Sequence, residues 1–181
     1  DPAQVVPMLE RTLGTIPAGE KPGPVVTVEP PQRAEKRIIM EDPSQPILLI
    51  GYHKGDINDP DNAVHEAISD ILGGGRSSRL YKALVKEKKL ALAVGAITEL
   101  GQKYPGLFLF YAVPNKGKTN AECEAAIYEE LERLKKEPVT AVELEGVKAR
   151  AKASFLDQID SNMGLAMALA QSENLEGSWR E

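Results

Sequence analysis

Leu72-Gly73-Gly74-Gly75-Arg76-Ser77-Ser78-Arg79-Leu80-Tyr81-Lys82-Ala83-Leu84 is the stretch on which the fold turns. Just upstream, Val64, Ala67, Ile68, Ile71 and Leu72 recur at i, i+3, i+4, i+7 and i+8, the stripe of an amphipathic helix. The three glycines therefore follow a helix. A phosphate-binding loop would follow a strand and end in Gly-Lys-Ser/Thr, and the dinucleotide fingerprint fails for the same reason. The remaining reading is a helix C-terminus running into a tight turn, where left-handed backbone demands glycine, with Gly74 the candidate for positive φ. Ser77 or Ser78 then caps a second short helix, Ser77 to Lys88, carrying Leu80, Ala83 and Leu84. The same glycines also suit a loop that lets another backbone, such as a peptide, approach closely.

Working outward, Asp59-Pro60 supplies an N-cap and a first-turn proline for the helix over 60–72. Before it lie two strand candidates, one around Arg37-Ile38-Ile39-Met40 and one from Pro46 to Tyr52. Within the second, Ile47-Leu48-Leu49-Ile50 is apolar without alternation, which suggests a strand covered on both faces or central in its sheet. After the glycine segment, Leu90 to Thr98 and Leu107 to Val113 read as strands joined by a Gly101 to Gly106 turn. Thr119 with Glu122 and Thr140 with Glu143 are capping boxes, opening helices to about Lys136 and Ser161, and Met163 to Leu175 continues as a helix. Paired strands alternating with paired helices predict an α+β fold, a mainly antiparallel sheet backed by helices.

At the other end, Asp1-Pro2 opens a short amphipathic helix with Val5, Met8, Leu9, Thr12 and Leu13 on one side and Gly14 as its stop. With no initiator Met and a helix opening at Asp1-Pro2, the chain is expected to be a fragment of a longer protein. Residues 17–33 hold Pro17, Pro22, Pro24, Pro30 and Pro31, a composition that reads as an extended linker at a domain boundary. The chain's 181 residues suffice for a core without disulfide or metal staples. A formal charge of −5 argues against nucleic acid as the main partner, because phosphate binding needs a basic footprint. No apolar run reaches the roughly 20 residues of a membrane span.

Candidates for chemistry are sparse. His53 and His65 are the only histidines. His65-Glu66 begins an H-E-x-x-H word, but Ser69 stands where the second His belongs, and the inverse H-x-x-E-H reading places Ile68 and Ser69 at the Glu and His positions. His65 is then expected on the solvent flank of its helix, beside the apolar stripe. Cys123 cannot form an internal disulfide and is expected as a half-buried helix cysteine. No G-x-S-x-G nucleophile elbow is present. The charges from Glu129 to Lys136 read as a solvated helix face.

The Leu72 to Leu84 word resembles the "iLGGG-x-SSRLY-x-xL" signature in the second half of the insulinase/pitrilysin-type zinc metallopeptidases, the inverse-zincin group that includes the mitochondrial processing peptidases. Gly51-Tyr52-His53 with Asp59-Pro60-Asp61, the helix start from Val139-Thr140 to Glu145, and Asp1 to Pro17 resemble neighbouring words of the same family. The resemblance implies two similar α+β halves that close around an unfolded peptide. On it, residues 1–16 are the tail of the first half, 17–33 the linker, and 34–181 most of the second half, cut before its end.

The resemblance also implies that the zinc motif belongs to the other half or to a partner subunit, with no metal ligand and no catalytic residue in this chain. Active members place an Arg and, seven residues later, a Tyr after the SSRLY word to hold the substrate backbone. Val85 and Leu92 stand in those places, and neither can donate a hydrogen bond to a carbonyl. The implied role is an inactive peptidase-like half that completes a peptide chamber. The alternatives are the second half of an intact zinc endopeptidase with H-x-x-E-H upstream, and a scaffold subunit of a respiratory assembly. Gly73, Gly74, Gly75, Ser78 and Arg79 are the candidate substrate-binding residues. The partners implied are a zinc-bearing half or subunit, an unfolded peptide and a second copy of the chain. The resemblance leans towards a periplasmic rather than a cytoplasmic setting. The missing ligand pair predicts that these 181 residues alone bind no stoichiometric zinc and cleave no peptide; chelator-sensitive cleavage by the purified chain would refute this.

Overall fold

The computed structural model describes residues 1–20, 23 and 25–180. Pro22 and Pro24 of the expected linker lie outside the described residues. The chain divides into two compact units, Asp1–Asp42 and Pro43–Glu181.

In the first unit, α1 (Pro2–Thr12) forms where the sequence places it. The Asp1 carboxylate accepts from the amide of Ala3, and Pro2 fills the first helical position. Within this unit its apolar stripe of Val5, Met8 and Leu9 stays about half exposed. The strand expected around Arg37-Ile38-Ile39-Met40 does not form. Ile38, Ile39 and Met40 are over 80% exposed and belong to no ladder. A strand exists only where a neighbour takes up its backbone donors and acceptors, and β propensity alone supplies no neighbour.

The second unit is built on a three-stranded antiparallel sheet of β1 (Leu48–Lys54), β2 (Ala91–Leu100) and β3 (Gly106–Pro114), in the order β1-β3-β2. Its helices are α2 (Asn62–Gly73), α3 (Asn120–Lys136), α4 (Ala141–Ile159) and α5 (Asn162–Leu175), with a single 3-10 turn at Gly75–Ser77 and a π-helical segment at Tyr81–Glu87. This is the α+β class the sequence predicts. The almost wholly apolar strand, β3, is the central one. Its Phe108, Phe110 and Ala112 alternate into the core, joined by Val94 of β2, Leu72 of α2, Leu80, Ala83 and Leu84 of the π-helical region, and Cys123, Ala126 and Ile127 of α3. Fully burying each such leucine or phenylalanine contributes about 1.5–3 kcal/mol.

The unbroken apolar run in β1 is covered on one face only. Leu48 and Ile50 pair with Ala112 and Phe110 and pack on the core, whereas Leu49, opposite Tyr111, is 57% exposed. Tyr52 meets Phe110 edge to face at 6.2 Å. The helix expected from Pro60 begins later. Asp59 spends its carboxylate on the amide of Asp61, an Asx turn, and α2 starts at Asn62 with Asp61 as N-cap. Lys54, buried at the end of β1, donates to the Asn62 side chain at 2.8 Å and ties strand to helix. Both capping boxes form as read, with Thr119–Glu122 opening α3 and Thr140–Glu143 opening α4.

Two details of the glycine segment depart from expectation. Gly74 has φ −73°, and the left-handed residue is Gly75 at φ +81°. Gly73 and Gly74 are glycines for lack of space. A Cβ on Gly73 would sit 2.2 Å from the amide nitrogen of Ala96, because the end of α2 lies directly on β2, and one on Gly74 would sit 2.4 Å from the carbonyl oxygen of Asp70. The helix expected over 77–88 is wound as a π-helix through Tyr81–Glu87, closed by the Lys88 amide on the Ala83 carbonyl at 2.9 Å. Lys89 then takes φ +51° to enter β2.

These contacts rank two substitutions. Gly73→Ala must push α2 off β2, an overpacking cost of about 1–3 kcal/mol or more. Gly75→Ala has open space and faces only the backbone penalty of about 1 kcal/mol. Urea midpoints of the two variants should fall in that order.

Candidate functional site

The five residues singled out from the sequence lie together where α2 hands over to the π-helical region, and they are not equally accessible. Gly75 is exposed, with Arg76 and Ser77 beside it, whereas Gly73 and Gly74 are half-buried and Ser78 is 4% exposed. The Ser78 hydroxyl donates to the Gly75 carbonyl at 2.8 Å and closes the turn. Ser78 has extended backbone and its carbonyl accepts from Lys82, so it is Ser78 that starts the next helical stretch.

Arg79 reaches across to α4. Its Nε and Nη2 donate to the two carboxylate oxygens of Glu143 at 2.7 and 2.9 Å, a bidentate pair. The Arg79 side chain is only 10% exposed, and the hydrogen bond to Glu143 raises its pKa above the ordinary arginine value. The same hydrogen bond is the main cause that draws the Glu143 carboxyl down to about 2, helped by the Thr140 amide and hydroxyl. Two turns along α4, the Arg150 Nε donates to the Asp70 carboxylate oxygens at 3.0 and 2.9 Å.

Val85 and Leu92 have different surroundings. Val85 lies in the π-helical segment, partly buried against the core. Leu92 projects from β2, 56% exposed, into a shallow cavity of about 350 Å³ bounded by Gln45, Pro46 and the Pro114–Lys118 turn. Both positions present hydrocarbon only.

The remaining candidates have structural surroundings. His65 is half-buried on α2, with its ring edge to face with Phe108 at 6.1 Å. Ser69, in the place of a second histidine, donates to the carbonyl of Ala96 at 3.2 Å and so fastens α2 to β2. These residues do not fit a zinc ion, and among the described residues no group of three His, Cys, Asp or Glu could hold a metal. Cys123 is fully buried rather than half-buried, and desolvation pushes its thiol pKa up, the opposite of activation. No helix among the described residues is long and apolar enough to cross a membrane.

The geometry is that of a three-stranded antiparallel sheet backed by helices, with the GGG-x-SSRLY turn between α2 and the π-helical segment. Residues 1–151 match the peptidase M16 inactive domain family, and the chain belongs to it. It is 31% identical over 119 residues to the zinc protease PqqE of Helicobacter pylori, a match covering 66% of this chain and 27% of that protein. The chain thus spans about a quarter of the length of that curated relative. A solved protease structure from Helicobacter pylori superimposes with a TM-score of 0.66 at 29% identity, covering 72% of this chain and 31% of that one. A solved inactive peptidase domain from Bordetella parapertussis gives a TM-score of 0.64 at 26% identity, covering 76% and 74% of the two chains.

Sequence reasoning finds the glycine turn and both capping boxes but not the second use of Glu143. Its spacing from Thr140 signals a cap, and nothing local signals the arginine 64 residues earlier. The pair makes a prediction about pH. A carboxylate held at about 2 contributes stability that is fully present above its ordinary pKa near 4.5 and is lost as pH falls through 2. Arg79→Met should cost about 1–3 kcal/mol at neutral pH, and it should flatten the fall in urea stability between pH 4.5 and 2 relative to wild type.

Proposed function

We propose that this chain is the non-catalytic half of a zinc metallopeptidase, shaping one wall of a peptide-binding chamber that a zinc-bearing half or partner subunit completes. In this reading residues 1–16 end the preceding half, 17–33 link the two, and 34–181 form the wall. The carrying observation is the pair Val85 and Leu92. Where resemblance to active members calls for an arginine and a tyrosine, this half offers one side chain packed against the core and one exposed hydrocarbon. Neither can stabilise a developing negative charge on a peptide carbonyl. Membership of an inactive-domain family supports the same reading.

The work left to such a half is binding. The Gly73–Gly75 turn, with Ser78 and Arg79 fixing its shape, is the part we assign to contact with peptide backbone. Gly75 is exposed and carries no side chain to hold a strand away. Chemistry belongs to the other half, where zinc would polarise the scissile carbonyl and activate water.

Native mass spectrometry with zinc analysis of the full-length protein tests this. The expected result is an assembly holding one zinc per peptidase unit, bound by an H-x-x-E-H segment outside residues 1–181. If that segment lies on a separate subunit, the chain serves a partner. If it lies upstream in the same polypeptide, the parent is itself a zinc endopeptidase. An assembly with neither zinc nor such a segment would overturn the proposal.

A further inference from the structure

The two arginine–carboxylate pairs of α4 do not sit at random on the core. Asp70 lies in the last turn of α2, three residues before Gly73, and Arg79 directly follows Ser78, so their partners on α4 grip the chain on both sides of the glycine turn. Glu143 and Arg150 are seven residues apart, two helical turns on one face, which spans about 10 Å. α4 therefore bridges the turn like a splint.

Burial does not seat this helix. None of its residues is buried, and Val142 is 83% exposed. A cleft of about 160 Å³ remains beneath it, lined by Asp70, Ile71, Ser78, Lys82, Val142 and Glu143. The charges specify its seat instead, and with a direction. The acid near the start of α4 meets Arg79 and the base two turns later meets Asp70. Running α4 the other way would set Glu143 against Asp70 and Arg150 against Arg79, a like-charge arrangement.

Two glycines fit this scheme. The Asp70 carboxylate lies against the turn itself, since a Cβ on Gly74 would come within 2.3 Å of its Oδ1. Gly146, unfavourable inside a helix, is where a Cβ would press on the Arg150 guanidinium at 3.1 Å, so its absence leaves Arg150 a path to Asp70.

We infer that α4 is a positioning element for the glycine turn, with Glu143 and Arg150 as its positioning residues, holding the two ends of the turn at fixed separation through oppositely oriented ion pairs. The functional meaning of this splint rests on the reading that the turn faces a peptide, but the mechanical claim does not. A turn held open in advance loses less freedom when a peptide binds.

Hydrogen exchange of the full-length protein, read by mass spectrometry in peptides covering residues 74–82, is the test, with β3 as internal reference. Glu143→Gln and Arg150→Gln should each speed exchange in the turn by about tenfold and leave β3 unchanged. The charge-exchanged double variant Asp70→Arg with Arg150→Asp should return the turn towards wild-type protection, which a loss of bulk packing would not do. Unchanged exchange in both single variants would overturn the inference. So would acceleration shared equally by β3, or a double variant no better protected than Arg150→Gln. No substrate, zinc or partner enters the measurement, so its outcome is independent of whether the chain serves a peptidase.

Discussion

The contact on which the rest of this domain depends is the laying of a helix end directly onto a strand. At Gly73 the backbone of α2 approaches β2 so closely that a single methyl group has no room beside the amide of Ala96. Ser69, one turn earlier, fastens the same face by donating to the Ala96 carbonyl. This approach sets the height of α2 over the sheet, buries Leu72 and Ile71, and decides where the chain leaves the helix. The turn, the π-helical segment and the ion pairs to α4 follow from that exit point. Close packing of this sort is discrete: it is either made or lost.

That constraint also divides what a sequence can say from what it cannot. The stripe from Val64 to Leu72 and the Thr-x-x-Glu boxes were legible because their causes lie within a few residues. The segment Arg37–Met40 has strand composition but pairs with no strand among the described residues, and strand pairing is a tertiary fact. The apolar run in β1 was read as covered on both faces or central. Its composition fits a sheet strand, but which strands flank it is fixed by pairing with β3, far along the chain. The GGG word was legible as a turn, yet the reason for each glycine was not. Only Gly75 needs positive φ, whereas Gly73 and Gly74 answer to atoms of Ala96 and Asp70. Arg79 was visible as part of a family word, while its partner Glu143 was hidden behind a local explanation that was itself correct.

The same division applies to function. Missing ligands are a statement about residue types and can be read directly, as at Ser69 and Ile68 of α2. The resemblance implies an arginine and a tyrosine at two further positions, where this chain has Val85 and Leu92. The structure adds the surroundings: one of these side chains belongs to the hydrophobic interior and the other borders a shallow hollow at the end of the sheet. A domain with its turn, its caps and its Arg79–Glu143 pair in place, and hydrocarbon at those two positions, fits the chamber wall we propose.

The burial of Cys123 has a practical side. Its sulfur sits in the seam between α3, the π-helical segment and the start of β2, 3.6 Å from the Leu90 carbonyl, and no solvent reaches it. It is also the sole thiol in these 181 residues. Alkylation of that sulfur can proceed only while the seam is parted. The rate at which a thiol reagent consumes this domain is therefore a clock for the opening of its core, built into the natural sequence and read without engineering a probe.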